Sequence, residues 1–266
     1  MPTIGIKSSL AGGQNVERGL NPARPITAME MSALMRLLGE RTQASIARRS
    51  VDPLMEFVYS SMTEGSRFIA HIPVACRKGC SFCCNVWVDA TPPEVLYTVK
   101  KMPPEQKQRA FEAVERACAQ TSGVSFEDRL GKVNPPCPLL AGDRACSVYE
   151  ERPVACRTLV STDVEACKQT FIDGSDEGFP GLKVWLTLRD SYARALEGAL
   201  LFSGLAWQAR EWNASLNIAM DSPDAEGRWL AGANVFAAAP MSPAPATFDN
   251  PLWRSIYEQA FGVAPA

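Results

Sequence analysis

Apolar residues recur at three- and four-residue steps over positions 27–49, where Met31, Leu34, Met35, Leu38 and Ile46 fall on one face while Glu30, Arg36, Glu40, Arg41 and Arg48 lie largely elsewhere. That period predicts an amphipathic helix. Asp52-Pro53 reads as an N-cap with proline in the first turn, opening a second helix through Leu54, Phe57, Val58 and Met62. Thr91-Pro92-Pro93-Glu94 gives a third start, with Thr91 as N-cap, Pro92 at the first helical position and Glu94 completing a capping box. A fourth helix runs from Pro104 through Phe111, Val114 and Cys118. After Gly181 the helical period extends over about 184–212, with Leu186, Leu188, Tyr192, Leu196, Leu200, Leu205 and Trp212 as core positions. A last helix over 250–261 would dock through Leu252, Trp253, Ile256, Tyr257 and Phe261, and Val86-Trp87-Val88 reads as a short strand.

The segments between these patterns divide the chain. Residues 1–25, rich in Gly, Asn, Pro and Ser, read as a loose arm, and 26–71 as N-terminal helices. Residues 72–175 hold every cysteine, and within them Asn134-Pro135-Pro136-Cys137-Pro138 must be irregular because its prolines remove backbone donors. Helices follow over 180–232, then a Pro/Ala linker over 233–249 that would be semi-extended, then the terminal helix over 250–262. The fold class expected is mainly α, with an irregular, loop-rich, metal-stapled cysteine domain.

With 266 residues, 46% of them hydrophobic, the chain can bury a sizeable core. A formal charge of −2, from 27 basic and 29 acidic residues, lacks the basic surplus of proteins that grip phosphate backbones, so neither nucleic acid nor an anionic membrane is expected as a partner. The single histidine, His71, excludes His-rich zinc hydrolases, two-His iron oxygenases and Ser-His-Asp mechanisms. No secretory signal is legible at the start, and the longest apolar patch is cut by Ser203 and Gly204, so the cytoplasm is the expected compartment. In that reducing setting clustered cysteines read as metal ligands or redox centres rather than disulfides.

The nine cysteines form two groups and one outlier. Cys76, Cys80, Cys83 and Cys84 stand within Cys-x3-Cys-x2-Cys-Cys, where short spacings let one turn aim successive thiolates inward and Gly79 supplies the backbone freedom. The adjacent pair, in extended backbone, would point to opposite sides, which favours two centres or a multinuclear cluster over one ion. Cys137, Cys146, Cys156 and Cys167 follow at intervals of eight, nine and ten intervening residues. Four plus four thiolates would fill two tetrahedral zinc sites or two cubanes. Cys118, mid-helix among Ala113, Val114 and Ala117, reads as a buried core cysteine.

Cys-x3-Cys-x2-Cys-Cys, then Cys137-Pro138-Leu139-Leu140, then Cys146-Ser-Val-Tyr-Glu-Glu-Arg-Pro-Val-Ala-Cys156-Arg157 resembles the YkgJ-type cysteine-cluster family of zinc- or iron-chelating domains over roughly residues 72–170, with Cys167 as its trailing cysteine. The resemblance implies a metal-bound domain, with an iron–sulfur centre in some members, and flagellin lysine methylases carry a similar domain. Cys76, Cys80 and Cys83 also show the Cys-x3-Cys-x2-Cys spacing of radical-SAM enzymes, without the repeated βα units those enzymes are built on.

Abundant thiolates with an adjacent pair and little histidine tilt the metal toward an iron–sulfur cluster, 4Fe-4S, with zinc as the alternative. Arg152 and Arg157 are candidates to bind a cofactor or donate to cluster sulfur, set against a plain turn in which they pair with Glu150 or Glu151. Arg77, Lys78, Arg144 and Lys168 also stand near ligand cysteines and could offset their charge. His71 reads as a surface or hydrogen-bonded histidine rather than an extra ligand. The function read from this pattern is an iron–sulfur cysteine-cluster protein, with redox or S-adenosylmethionine-linked modification of a protein or peptide as the enzyme class. The alternative is a zinc-stapled binding module.

Overall fold

The structure, a computed structural model, describes residues 16–129, 134–175, 177–243 and 247–265. Among these, α1 (Ala28–Arg48), α2 (Asp52–Arg67), α3 (Pro92–Lys101), α4 (Pro104–Thr121), α5 (Phe126–Arg129), α6 (Val154–Thr158), α7 (Val164–Phe171), α8 (Lys183–Phe202), α9 (Trp212–Asp221), α10 (Ala225–Leu230) and α11 (Pro251–Phe261) account for nearly all regular structure. Two-residue strands β1 (Asp89–Ala90) and β2 (Arg210–Glu211) pair antiparallel, Asp89 opposite Glu211. The molecule is mainly α. None of the helices described is long and apolar enough to cross a membrane.

Local chemistry sets most boundaries. Thr27 and Glu30 form a reciprocal capping box at the start of α1, and Arg49, in left-handed conformation at φ 53°, ends it. Thr91 and Glu94 repeat the device at α3. Asp52 is the first residue of α2, and its side chain is not the cap. The α11 N-cap is Asn250, which accepts from the Leu252 amide; Ile256 and Tyr257 bury while Leu252 is 60% exposed.

Four sequence expectations need correction. The single helix over 184–212 is two, because Gly204 turns left-handed at φ 71° after Phe202 and the connection is held by the Trp229 indole donating to the Ala206 carbonyl. Six of its seven expected core positions are buried, and Leu186 is half-buried. The strand expected at 86–88 lies at β1 instead, since its partner is fixed by β2 and the Val88 carbonyl accepts from the Trp212 amide. Nor is the described part of the N-terminal arm loose: Leu20 is buried and its carbonyl lies so close to Gly65 of α2 that a Cβ there would stand 2.6 Å away; residues 1–15 lie outside the described residues. The linker also docks at its start. Phe236 and Ala239 are buried, and the Pro240 carbonyl accepts from Glu211.

One continuous core joins two helical groups. α1 packs on α2, α8 and α11; α9 packs on α3 and α4; α3 also meets α2 and α10. Leu34, Leu38, Leu54, Val58, Leu188, Leu196 and Leu200 fill the first group, while Val95, Val114, Leu216 and Trp229 belong to the same cluster on the other side. The cysteine segment is threaded over the junction: α6 lies on α8 and touches β1, and α7 lies on the 3-10 turn Phe82–Cys84.

Candidate metal centre

The first cysteine group is a series of tight turns. The Ala75 amide donates to the Ser161 carbonyl at 2.8 Å, anchoring the entry. The Cys80 amide then closes on the Arg77 carbonyl at 2.9 Å, with Gly79 at φ 82° between them, a conformation that a side chain would strain. Cys83 and Cys84 lie in a 3-10 turn whose carbonyls Ser81 and Phe82 both accept from the Asn85 side chain. This backbone is not extended, so the pair does not point to opposite sides as the sequence suggested: Cys84 stands beside Cys83 and, ahead of burial, pushes its thiol far above the usual range.

The second group comes in on three elements. The Cys137 amide donates to the Cys84 carbonyl at 2.8 Å, so the proline-rich loop is tied directly to the first group. A small hairpin follows, with Leu140 bridged to Cys146 and Arg144 at φ 62° in its turn. Cys156 sits in α6, whose first amide, Val154, donates to Glu94 at 2.7 Å. Cys167 sits in α7, capped by the Asp163 side chain at the amides of Glu165 and Ala166.

A cavity of about 1390 Å³ opens at this junction, and Cys76, Cys80, Cys83, Cys84, Cys137, Cys146 and Cys156 all line it. Cys167 is buried behind them, its thiol bonded to Ser161 and within electrostatic reach of Cys76, Cys83 and Cys80. Cys118 is apart, half-buried on α4; burial and then Glu211 push its thiol up to about 11, and no other cysteine acts on it. All nine are free thiols. Among the described residues, no three His, Cys, Asp or Glu side chains converge closely enough to hold one metal ion as they stand.

Burial raises Cys76, Cys146 and Cys167, pushes Cys137 up to about 12 and carries Cys156 well above the usual thiol range. These groups hold their protons when metal-free, and a thiophilic metal must displace them. Backbone hydrogen bonds oppose this at Cys76, Cys83 and Cys146, and the charge of Arg152 also lowers Cys76, Cys83, Cys146 and Cys156. Its guanidinium lies 3.8 Å over the Tyr149 ring, and its Nε is buried with no hydrogen-bond partner. The donors fit zinc or an iron–sulfur centre: they are all sulfur, and Arg152 offers them an unspent N–H.

Arg157 has a different job. It donates to the carbonyls of Arg152 and Glu150 and lies 3.8 Å over Tyr59, so it holds the turn that carries Arg152. Its contact with Glu150 is to the main chain, not to a carboxylate. Of the other cations near the cysteines, Lys78 faces Asp143 at 4.0 Å, Lys168 faces Glu165 at 3.7 Å, and Arg144 donates to the Ser81 hydroxyl. His71 is exposed.

Two supporting groups gave no signal as site residues. Glu94, buried, accepts from the Thr91 amide and hydroxyl through one oxygen and from the Val154 amide through the other, and burial raises its carboxyl. Arg129 and Glu211, 5% and 3% exposed, form an ion pair at 3.2 Å; Arg129 also donates to Asn134 at 2.6 Å, fixing the start of the loop that carries Cys137. Glu94 was legible only as a helix cap. Arg129 and Glu211 are too far apart in sequence for spacing to connect them.

Comparison with curated proteins and with solved structures finds no match. The segment that carries all of these cysteines, residues 75–173, matches the model of the CxxCxxCC family, whose description reads "Putative zinc- or iron-chelating domain".

Proposed function

We propose that this chain is an iron–sulfur protein whose centre is held by Cys76, Cys80, Cys83, Cys84, Cys137, Cys146, Cys156 and Cys167, and that it performs redox chemistry on a substrate admitted to the adjoining cleft. The observation that supports the reading is that seven of these eight cysteines line one cavity. Four sulfurs on a single zinc stand about 3.8 Å apart, the edge of a tetrahedron built on bonds of about 2.3 Å, and close the space between them. A polynuclear cluster instead fills the space its ligands surround. Such a cluster supplies electron transfer when bound.

This chain's own residues would provide the rest. The thiols release their protons on loading, and Arg152 offsets part of the negative charge that the thiolates bring. Trp87, Trp185 and Trp207 also line the cavity, and the buried Nε1 of Trp185 and Oγ1 of Thr170 lack partners, which supports a substrate with hydrogen-bond acceptors. Modification of a protein or peptide with S-adenosylmethionine as co-substrate is the enzymatic form of this reading.

A second reading has its own support. Over the described part of 130–175, Leu139, Val148, Val154 and Cys167 are the only buried hydrophobic residues, so this stretch needs another source of order. Zinc held purely as a staple would supply it.

Purification without oxygen separates the two. A brown protein with iron and acid-labile sulfide supports the cluster, and release of 5′-deoxyadenosine from S-adenosylmethionine on reduction supports the enzymatic form. A colourless protein with about two zincs per chain and no sulfide would overturn the cluster reading in favour of the staple.

A further inference from the structure

The cavity takes more than thiols into its lining. Trp185, Arg189 and Glu197 stand four or eight residues apart on one face of α8 and border it, as do Trp207, Gln208 and Ala209, which lead into β2. Every charge that α8 and the β2 stretch bring to the cavity is already paired. Arg189 bonds to Asp190 at 2.9 Å, Arg194 to Glu197 at 3.0 Å, and Glu211 to Arg129 at 3.2 Å, so cations and anions balance. An ionic ligand against this lining would shed its hydration and meet no spare counter-charge, which favours an uncharged one.

What the same stretches leave unpaired is neutral. Asn213, the second residue of α9, is 7% exposed and borders the cavity, and its carboxamide has no hydrogen-bond partner among the described residues. The main chain of Trp207, Gln208 and Ala209 likewise makes no hydrogen bond among the described residues, although all three are half-buried. Groups in that position call for a partner. β2 itself is supplied on both edges: Arg210 pairs with Ala90 of β1, and the Glu211 amide donates to the Pro240 carbonyl at 2.8 Å. Upstream of Arg210 that pairing stops. A carboxamide offers an acceptor and two donors, the match of a peptide group, which offers one of each. The geometry points to a peptide-binding cleft, in which an uncharged, extended segment adds to β2 along 207–209 and Asn213 holds one of its peptide groups, with its side chains against Trp185 and Trp207. This deepens the peptide-modifying reading above and, as a substrate site, rests on it.

The test uses the full chain purified without oxygen, with iron, sulfide and zinc counted in the same samples. The probe is a library of tetrapeptides, acetylated and amidated at their ends and built from Ala, Ser, Val, Phe, Asp and Lys. Members that co-elute with the protein are identified by mass and titrated by tryptophan fluorescence. Retained peptides should be free of Asp and Lys, and methylating their amide nitrogens should weaken them by about tenfold or more, because each methyl removes a donor. Asn213→Ala should weaken the same peptides by about tenfold, and Asn213→Asp by at least as much, both with metal content unchanged. No retained peptide, a retained set rich in Asp or Lys, or undiminished binding by the methylated peptides or by both Asn213 variants would overturn the peptide cleft while leaving the metal centre intact. The first three of these are read on the wild type, so a variant that fails to fold cannot shield it. A metal-free wild type that still retains neutral peptides would sink the iron–sulfur reading and keep the cleft.

Discussion

Replacing Glu211 by alanine should destabilise this protein more than any other single change at the rim of the cleft. Arg129 would keep its charge with its side chain 5% exposed and its partner at 3.2 Å removed. At an effective dielectric of about 20, two unit charges at that separation attract by roughly 5 kcal/mol before desolvation is counted. Breaking a buried pair by removing one member costs about 3–5 kcal/mol, because the remaining charge is stranded. The same carboxylate caps α9 by accepting from the Ala214 amide at 2.7 Å, and losing a cap adds about 1 kcal/mol. The total, about 4–6 kcal/mol, rivals the whole stability of many domains. Glu211→Gln keeps an acceptor for both partners and should lose about half as much. Urea unfolding of the metal-loaded protein, followed by far-UV circular dichroism, measures both. Because Arg129 also holds Asn134, the alanine variant should lose metal as well, through slackening of the Cys137 loop. A Glu211→Ala variant within about 1 kcal/mol of wild type, or one no worse than Glu211→Gln, would refute the buried-pair argument.

Other perturbations separate site from scaffold. Cys80→Ser should lower metal content, whereas Cys118→Ser should leave it unchanged; equal loss from both would show that the ligand assignment is wrong. Gly65→Ala forces a Cβ to within 2.6 Å of the Leu20 carbonyl and should lower the melting temperature through about 1–3 kcal/mol of strain, with metal content unaffected. The Arg24 guanidinium holds the Glu30 carboxyl down to about 2, so its contribution to stability is complete above the usual carboxylate range and disappears as pH falls through about 2. The stability gap between wild type and Glu30→Gln should therefore narrow on acidification from pH 6; a gap that stays constant would count against the ion pair.

The parts of the fold that the sequence reveals are those decided within one or two turns of chain. α1 and α3 begin at capping boxes, α11 at Asn250, and the apolar period of α8 identifies its buried face from Leu188 to Leu200. The cysteine spacing likewise marks the site, and Cys118 stands out by its helical neighbours. What the sequence hides depends on distant partners. The break after α8 is held by Trp229, and the docking of the chain at Pro240 depends on β2. The backbone of Cys83 and Cys84 is set by the Asn85 side chain folding back on the turn, a contact that periodicity does not register. Arg152 and Arg157 look alike in sequence. In space one carries an unspent donor among thiols and the other is consumed in holding the loop.

The carboxylate of Glu94 closes the first turn of two helices, α3 through Thr91 and α6 through Val154. Cys156 is the third residue of α6, so any pull on its sulfur is transmitted within a few bonds to the base of α3, which bears on α2, α9 and α10. The segment 75–173 is thus no detachable cassette. Grafted onto a foreign scaffold without α2 and α9, it would leave Val95, Leu96 and Val114 bare, and its thiols would lose the platform that aligns them.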